Sequence, residues 1–321
     1  MKNLNLFYTR GKEDIMKSSN IGGQAVMEGV MMKNADQYAV AVRKTDGEII
    51  VKTEEYKSLI RNKKILSLPI VRGVFSFIDS LVLGMSTLTY SASFFMEDEE
   101  EERTKQDEKK ESFFMGLTVA FSVVMAVAIF MILPYFLSQV FHRFTDSVTV
   151  ITLLEGVVRL AIFFGYILLI SRMKDIQRVF MYHGAEHKCI NCIEHGMELN
   201  VENVLKSSRL HKRCGTSFLF IVMIISIIFF LFIRIESPVL RVVFRLLLIP
   251  VIAGVSYEFI RLAGRSANRL VTILSKPGRC LQKLTTREPD ASMAEVAIAS
   301  VEAVFDWKAY LKENFGWQES A

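Results

Sequence analysis

The stretch Phe113–Leu137, "FFMGLTVAFSVVMAVAIFMILPYFL", holds 25 residues without a charge. That exceeds the ~20 apolar residues a helix needs to cross a ~30 Å hydrocarbon core. It sets the class of the whole chain, because a segment this apolar would be insoluble as an exposed helix. The bulk numbers agree. The chain has 321 residues, of which 51% are hydrophobic, with a mean hydropathy of +0.31. These values are too apolar for an ordinary soluble enzyme.

Three further windows read as spans. Gly215–Ile233 is uncharged, Thr152–Ser171 carries Glu155 and Arg159 near one end, and Val239–Tyr257 carries Arg241 and Arg245 near its start and Pro250 inside. Long side chains close to a span end are expected to snorkel toward the headgroups. The connection between the second and third spans is rich in Lys and Arg (Arg172, Lys174, Arg178, Lys188, Lys206, Arg209, Lys212, Arg213), as is the tail after the fourth. The connections at 138–151 and 234–238 hold only Arg143 and Arg234. The positive-inside rule then places the central loop and both termini in the cytoplasm. The net charge of +5 reflects these loops, and no basic, aromatic-interleaved stripe indicates nucleic acid. The first twenty residues lack the apolar core of a signal peptide. A fifth apolar stretch, Val74–Phe95, has basic residues on both sides and reads as an interfacial or re-entrant helix.

The expected architecture is a mainly α-helical polytopic membrane protein. It has about four transmembrane helices, one interfacial or re-entrant helix, and a small cytoplasmic α+β part containing a β-hairpin. Its segments are an N-terminal α+β part at 1–73, the helix at 74–95, and a solvated charged linker at 96–112. A transmembrane core at 113–260 follows, with a loop at 172–214, and then a helical segment at 261–321. "YAVAVRKTDGEIIVKTEEY" (38–56) predicts the hairpin, with Asp46-Gly47 suited to a type I′ turn. In "NIGGQAVMEGVMMKN" (20–34) the glycines let the backbone bend or approach something closely, and the Met27, Met31 and Met32 side chains read as core. Ser292 and Glu295 have capping-box spacing before an amphipathic helix bearing Val296, Val301, Val304 and Phe305.

The chemistry concentrates in "YHGAEHKC" (182–189). No proline separates it from the second span, so one continuous helix is expected, ending near Gly196. His183 and His187 then share a face with Glu186 beside them, the HxxEH order in which histidines hold a metal and the glutamate acts as base toward water. The cofactor expected is a divalent ion, zinc. Glu194 lies about 10 Å further along the axis and cannot share that ion. Cys189 and Cys192 point roughly 160° and 140° away from His187. A third ligand must come from elsewhere, and "LHKRCGTSF" (210–218) offers His211 or Cys214. Glu28 is the next candidate, as ligand or as a partner of one. The competing reading is a buried polar network of satisfied histidines without metal. His195 and His142 read as solvated or interfacial, and Cys280 as a small packing residue.

Five ordered motifs, "NIGGQAVMEGVMM", "LPIVRGV", "YHGAEHK", "HKRCGTSF" and "LTTREPD", together resemble the YqhQ-like family of bacterial membrane proteins. The resemblance spans roughly residues 20–298. Members are labelled predicted metal-dependent enzymes, with no reaction attached. It marks Glu28, His183, Glu186, His187, His211, Arg213 and Cys214 as motif positions. Lys212 stands where members often have proline, which leaves the neighbouring ligand roles intact.

The leading expectation is a metal-dependent hydrolase of the bacterial cytoplasmic membrane. His183, His187 and His211 (or Cys214) hold the ion and Glu186 is the base. Its substrate lies in the bilayer or at the cytoplasmic face, a lipid or a membrane protein segment. The alternative is a non-catalytic assembly or scaffold protein with a structural metal or a polar histidine cluster. A transporter is the weakest reading, since no inverted repeat is visible.

Overall fold

The computed structural model describes residues 16–58, 60, 67–95, 105–211, 214–235, 237–265 and 269–318. Four strands, β1 (Gly22–Val26), β2 (Gly29–Asn34), β3 (Gln37–Arg43) and β4 (Ile49–Glu55), form an antiparallel meander in chain order. The predicted hairpin is β3–β4, in register from Gln37–Glu55 to Arg43–Ile49. Its turn differs from the expected type I′. Gly47 has φ 89° while Asp46 does not have positive φ, and the Gly47 N–H donates to the Lys44 carbonyl (3.0 Å). A type I′ turn needs positive φ at both central residues, so this is the longer loop closed by a left-handed glycine. The glycine-rich segment 20–34 forms two further strands instead of a bending loop. Three glycines and the turn at Met27–Glu28 diluted its β signal. Met31 and Met32 are buried as expected, but Met27, in that turn, is exposed.

Helix α1 (Val71–Ser93) is a continuous 23-residue helix. Leu83, Tyr90 and Phe94 from its C-terminal half and end cover Val26, Met31, Val40 and Val42 on one sheet face. Next come α2 (Lys105–Val127), one π turn (Ala128–Ile132) and α3 (Leu133–Ser138). Pro134 excludes the helical bond to the Phe130 carbonyl four residues back, and Arg159 Nε donates to that carbonyl instead (3.1 Å). Helix α4 is Val148–Ile170, and among the described residues three helices are long and apolar enough to cross a membrane: Val71–Ser93, Gly116–Arg143 and Val148–Ile170.

The expected continuity into the histidine helix fails. Helix α5 (Lys174–Glu194) starts afresh after extended Met173. The carbonyl of Ser171, which a continuous helix would satisfy, instead accepts from Gln177 Nε2 (3.1 Å) and Arg287 Nη2 (3.1 Å). A short α6 (Val201–Lys206) precedes the apolar 17-residue α7 (Gly215–Leu231). Helix α8 (Pro238–Arg265) bends by 42° around residue 248, close to Pro250, and counts as a fourth apolar element if the bent pair is one span. Gly73 of α1 sits against α8, where an added Cβ would meet the Gly254 carbonyl at 2.8 Å.

Three of the four charges expected to snorkel do not. Glu155, Arg159 and Arg245 are buried together. Glu155 accepts from Arg159 Nη2 (2.7 Å) and from both terminal nitrogens of Arg245 (2.7 and 2.8 Å). Pairing across α4 and α8 replaces the water these groups would otherwise reach.

The chain closes with α9 (Arg269–Thr285), α10 (Ala291–Glu302) and α11 (Trp307–Phe315). Val296 and Val301 are buried with α5 and the second sheet face, as the amphipathic pattern predicted. The N-cap is Asp290 rather than Ser292; its carboxylate accepts the Met293 N–H (2.9 Å), and Glu295 instead pairs with Arg43 (2.7 Å). Cys280 is exposed, not packed. The predicted linker at 96–112 lies partly outside the described residues.

Candidate metal centre

Helix α5 ends where its sequence indicates, with His195 as cap and Gly196 at φ 75°. Within it, the four-residue spacing puts His183 and His187 on one face with ring centroids 4.4 Å apart. Each ring is braced from behind. His183 Nδ1 lies 2.9 Å from the Thr285 carbonyl, and His187 Nδ1 lies 2.6 Å from the Arg209 carbonyl. A carbonyl only accepts, so both Nδ1 atoms carry a proton, and the lone pair available to a metal is the one that deprotonated Nε2 offers on each ring.

Those lone pairs converge on Cys214, the cap of α7. Its Sγ lies 3.3 Å from His183 Nε2, and the ligand atoms of His183, His187 and Cys214 all lie within 4.8 Å of one another. His187 Nε2 is buried and makes no hydrogen bond. A buried imidazole lone pair without a donor is costly in a protein alone and is satisfied by a cation. Two imidazoles and a thiolate suit zinc, and three protein ligands are what a catalytic site with one open position uses.

The electrostatics of the metal-free cluster follow from proximity. Burial works to lower His183, but the Cys214 sulfur and the Glu186 carboxylate outweigh it and push His183 up to about 9. Burial works to raise Cys214, yet His183 holds its thiol well below the usual value. The two therefore form an imidazolium–thiolate pair, which a metal would convert by displacing one proton. Glu186 is pushed up chiefly by burial, partly offset by the histidines. Its carboxylate is 4.0 Å from His183 Nε2. Gly23 lies against it, since an added Cβ there would meet Glu186 Cγ at 2.9 Å.

The other candidates divide. His211 lines the same cavity of about 100 Å³, but its Nε2 faces Glu194 Oε2 at 3.2 Å, and it is outside the ligand group. Gln282 holds His211 in place by bonding its backbone N–H (2.9 Å) and carbonyl (2.7 Å). Glu194, set aside on helix geometry, is indeed elsewhere. It accepts from the Ser19 N–H and hydroxyl, both at 2.8 Å. Glu28 is not at the centre: it pairs with Arg178, and Tyr182 donates to it (3.3 Å). Cys189 and Cys192 belong to the apolar core on the far side of α5. Arg213 lies outside the described residues.

Sequence reasoning missed the strap formed by Thr285–Asp290. Thr285 braces His183, and Thr286 accepts from Arg209. The Arg287 N–H bonds the Phe180 carbonyl (2.8 Å), and Glu288 pairs with the buried Lys188 (2.9 Å). Gly184 makes this possible, because a Cβ there would come within 2.0 Å of the Arg287 carbonyl. The quoted motif "LTTREPD" carried the signal, but backbone carbonyls leave no mark on residue type.

No solved structure matches the chain. The family model "Protein of unknown function (DUF1385)" matches residues 68–307. The uncharacterized protein YqhQ of Bacillus subtilis (strain 168) is 34% identical over 300 residues, covering 91% of this chain and 94% of that protein. A match of that extent means that the chain belongs to the YqhQ-like family of proteins of unknown function, DUF1385.

Proposed function

We propose that this protein is a metal-dependent hydrolase of the cytoplasmic membrane, with its site facing the cytoplasm. His183, His187 and Cys214 would hold a divalent ion, zinc by donor type, and Cys214 takes the place first given to His211. The observation that carries the reading is the buried, unpartnered Nε2 of His187 beside two further ligand atoms and a carboxylate. When bound, the ion supplies Lewis acidity to a water or a carbonyl oxygen. Glu186 takes a proton from the attacking water and returns it to the leaving group. Its burial raises its affinity for that proton, which favours the hand-over. Thr285 and Arg209 hold the two rings in the tautomer that binds metal. His211, held by Glu194 and Gln282, closes the cavity wall.

The apolar helices lie in the bilayer with the basic loop and both termini inside. Helix α1 rests at the interface, since its C-terminal half and end cover the cytoplasmic sheet. The scaffold alternative draws on the same bracing, which ties α5 to two distant segments.

Elemental analysis of the purified protein beside His187→Ala tests metal binding. Stoichiometric zinc that the variant lacks is expected, and a metal-free native protein would remove the enzyme reading. Glu186→Gln then separates the two functions. Retained zinc with turnover lowered about a hundredfold or more supports the base role. Unchanged turnover excludes it.

A further inference from the structure

Among the described residues strand β1 is an edge strand, paired only to β2. The two-residue turn at Met27–Glu28 makes Val26 and Gly29 a hydrogen-bonded pair, and the alternation runs back from there. Gly22, Gln24 and Val26 therefore direct their backbone groups to β2, while Gly23 and Ala25 direct theirs away from the sheet. Glu186 lies against Gly23, where an added Cβ would meet its Cγ at 2.9 Å. Thus the edge strand of the sheet passes directly by the proposed base.

Two cavities meet at this edge. One is the metal-site cavity, and the other, of about 290 Å³, is lined by Asn20, Gln24, Lys33 and Ser80; Gly22 and Gly23 line both. Neither glycine puts a side chain between them, and nothing lies within 4 Å of an added Cβ at Gly22.

We propose that the substrate is an extended polypeptide segment that adds to the outer edge of β1, with its scissile peptide bond beside Glu186. This rests on the hydrolase reading above and names its substrate class. An extended chain supplies donors and acceptors for the outward groups of β1, as in strand-addition recognition. Its side chains alternate in direction, so successive residues enter the two cavities. The missing side chain at Gly22 leaves open space in which its backbone can come close. A lipid ester offers one carbonyl and no repeating N–H, and so leaves the strand edge unmet. In the reaction the oxygen of water bonds to the peptide carbonyl carbon and the C–N bond breaks. Glu186 carries the proton from that water to the leaving nitrogen, giving a new carboxyl terminus and a new amino terminus.

The test uses full-length, zinc-loaded Glu186→Gln protein in detergent. The probe is a fluorescein-labelled octapeptide of alternating alanine and threonine, read by anisotropy. Its counterpart, N-methylated at every second residue, removes backbone donors and keeps the side chains. Saturable binding that N-methylation weakens at least about tenfold is expected. A second variant adding Gly22→Phe, which the fold has room for, should weaken binding similarly by filling the gap between the cavities. Equal affinity for the two peptides, or no saturable binding, would overturn the substrate assignment. Zinc content of the same sample keeps the two readings apart. Zinc without peptide binding rejects the peptide substrate alone, and peptide binding without zinc rejects the hydrolase reading alone.

Discussion

The Nδ1 of His183 lies 2.9 Å from the carbonyl oxygen of Thr285, across 102 residues of sequence. That contact fixes the tautomer of one proposed ligand from a strap beyond all the apolar helices. It ties the candidate metal centre to the C-terminal segment.

Metal affinity should rise with pH. In the metal-free protein His183 keeps its proton up to about pH 9, while the Cys214 thiol is already held well below its ordinary value. Zinc must displace one proton, so its apparent affinity should increase about tenfold per pH unit below 9. Competition titrations between pH 6 and 8 measure the slope, and a flat profile would contradict the ion pair.

Stability of the metal-free protein should have a different profile. The raised His183 contributes stability that is full below its unfolded value of about 6.5 and is lost as pH rises through about 9. The depressed Cys214 contributes stability that is full above its unfolded value of about 9 and is lost as pH falls through its folded value. Between about 6.5 and 9 their opposite pH dependences cancel, and below 6.5 only the Cys214 contribution still changes, so this pair is destabilised by acid. Chemical unfolding with a chelator present at pH 5.5, 7 and 8.5 checks the shape, against a Cys214→Ser control.

Gly184→Ala should cost about 2 kcal/mol by overpacking, because the new Cβ would meet the Arg287 backbone carbonyl at 2.0 Å. Moving Arg287 also moves Thr285, so zinc affinity should fall. Thermal unfolding and zinc competition on the same preparation read both effects.

Glu155→Gln should destabilise by about 3 kcal/mol, since it leaves the Arg159 and Arg245 guanidiniums buried without their counter-charge. Zinc content should not change, because the cluster shares no residue with the metal group. Unfolding in detergent, compared with the wild type, tests this. A loss of metal would tie the two regions together.

The four cysteines should label in order. Cys280 is exposed and should react with a maleimide in the native protein. Cys189 and Cys192 are buried, with thiols pushed up by burial, the latter to about 12, and should react only on unfolding. Cys214 should react in metal-free protein and be slowed at least about tenfold by zinc. Mass spectrometry of labelled peptides gives the order.

Local pattern and composition determined much of this molecule. Uncharged runs such as 113–137 specify apolar helices, because backbone groups in hydrocarbon must bond internally. The alternation at 38–56 specifies a hairpin, and the spacing of His183 and His187 alone sets them on one helix face. Helix periodicity also removed Glu194, Cys189 and Cys192 from the ligand set, and the structure agrees. Which side chain joins the two histidines was decided only by packing. His211 and Cys214 are three residues apart in one segment, and Gln282, with Glu194 and Ser19 behind it, turns His211 aside while Cys214 caps α7 toward the histidines. Backbone partners are equally silent in sequence, because any residue can supply the carbonyl that Thr285 and Arg209 provide. The edge of β1 at Glu186 has the same origin: register sets which backbone groups face outward, and tertiary docking sets what they face.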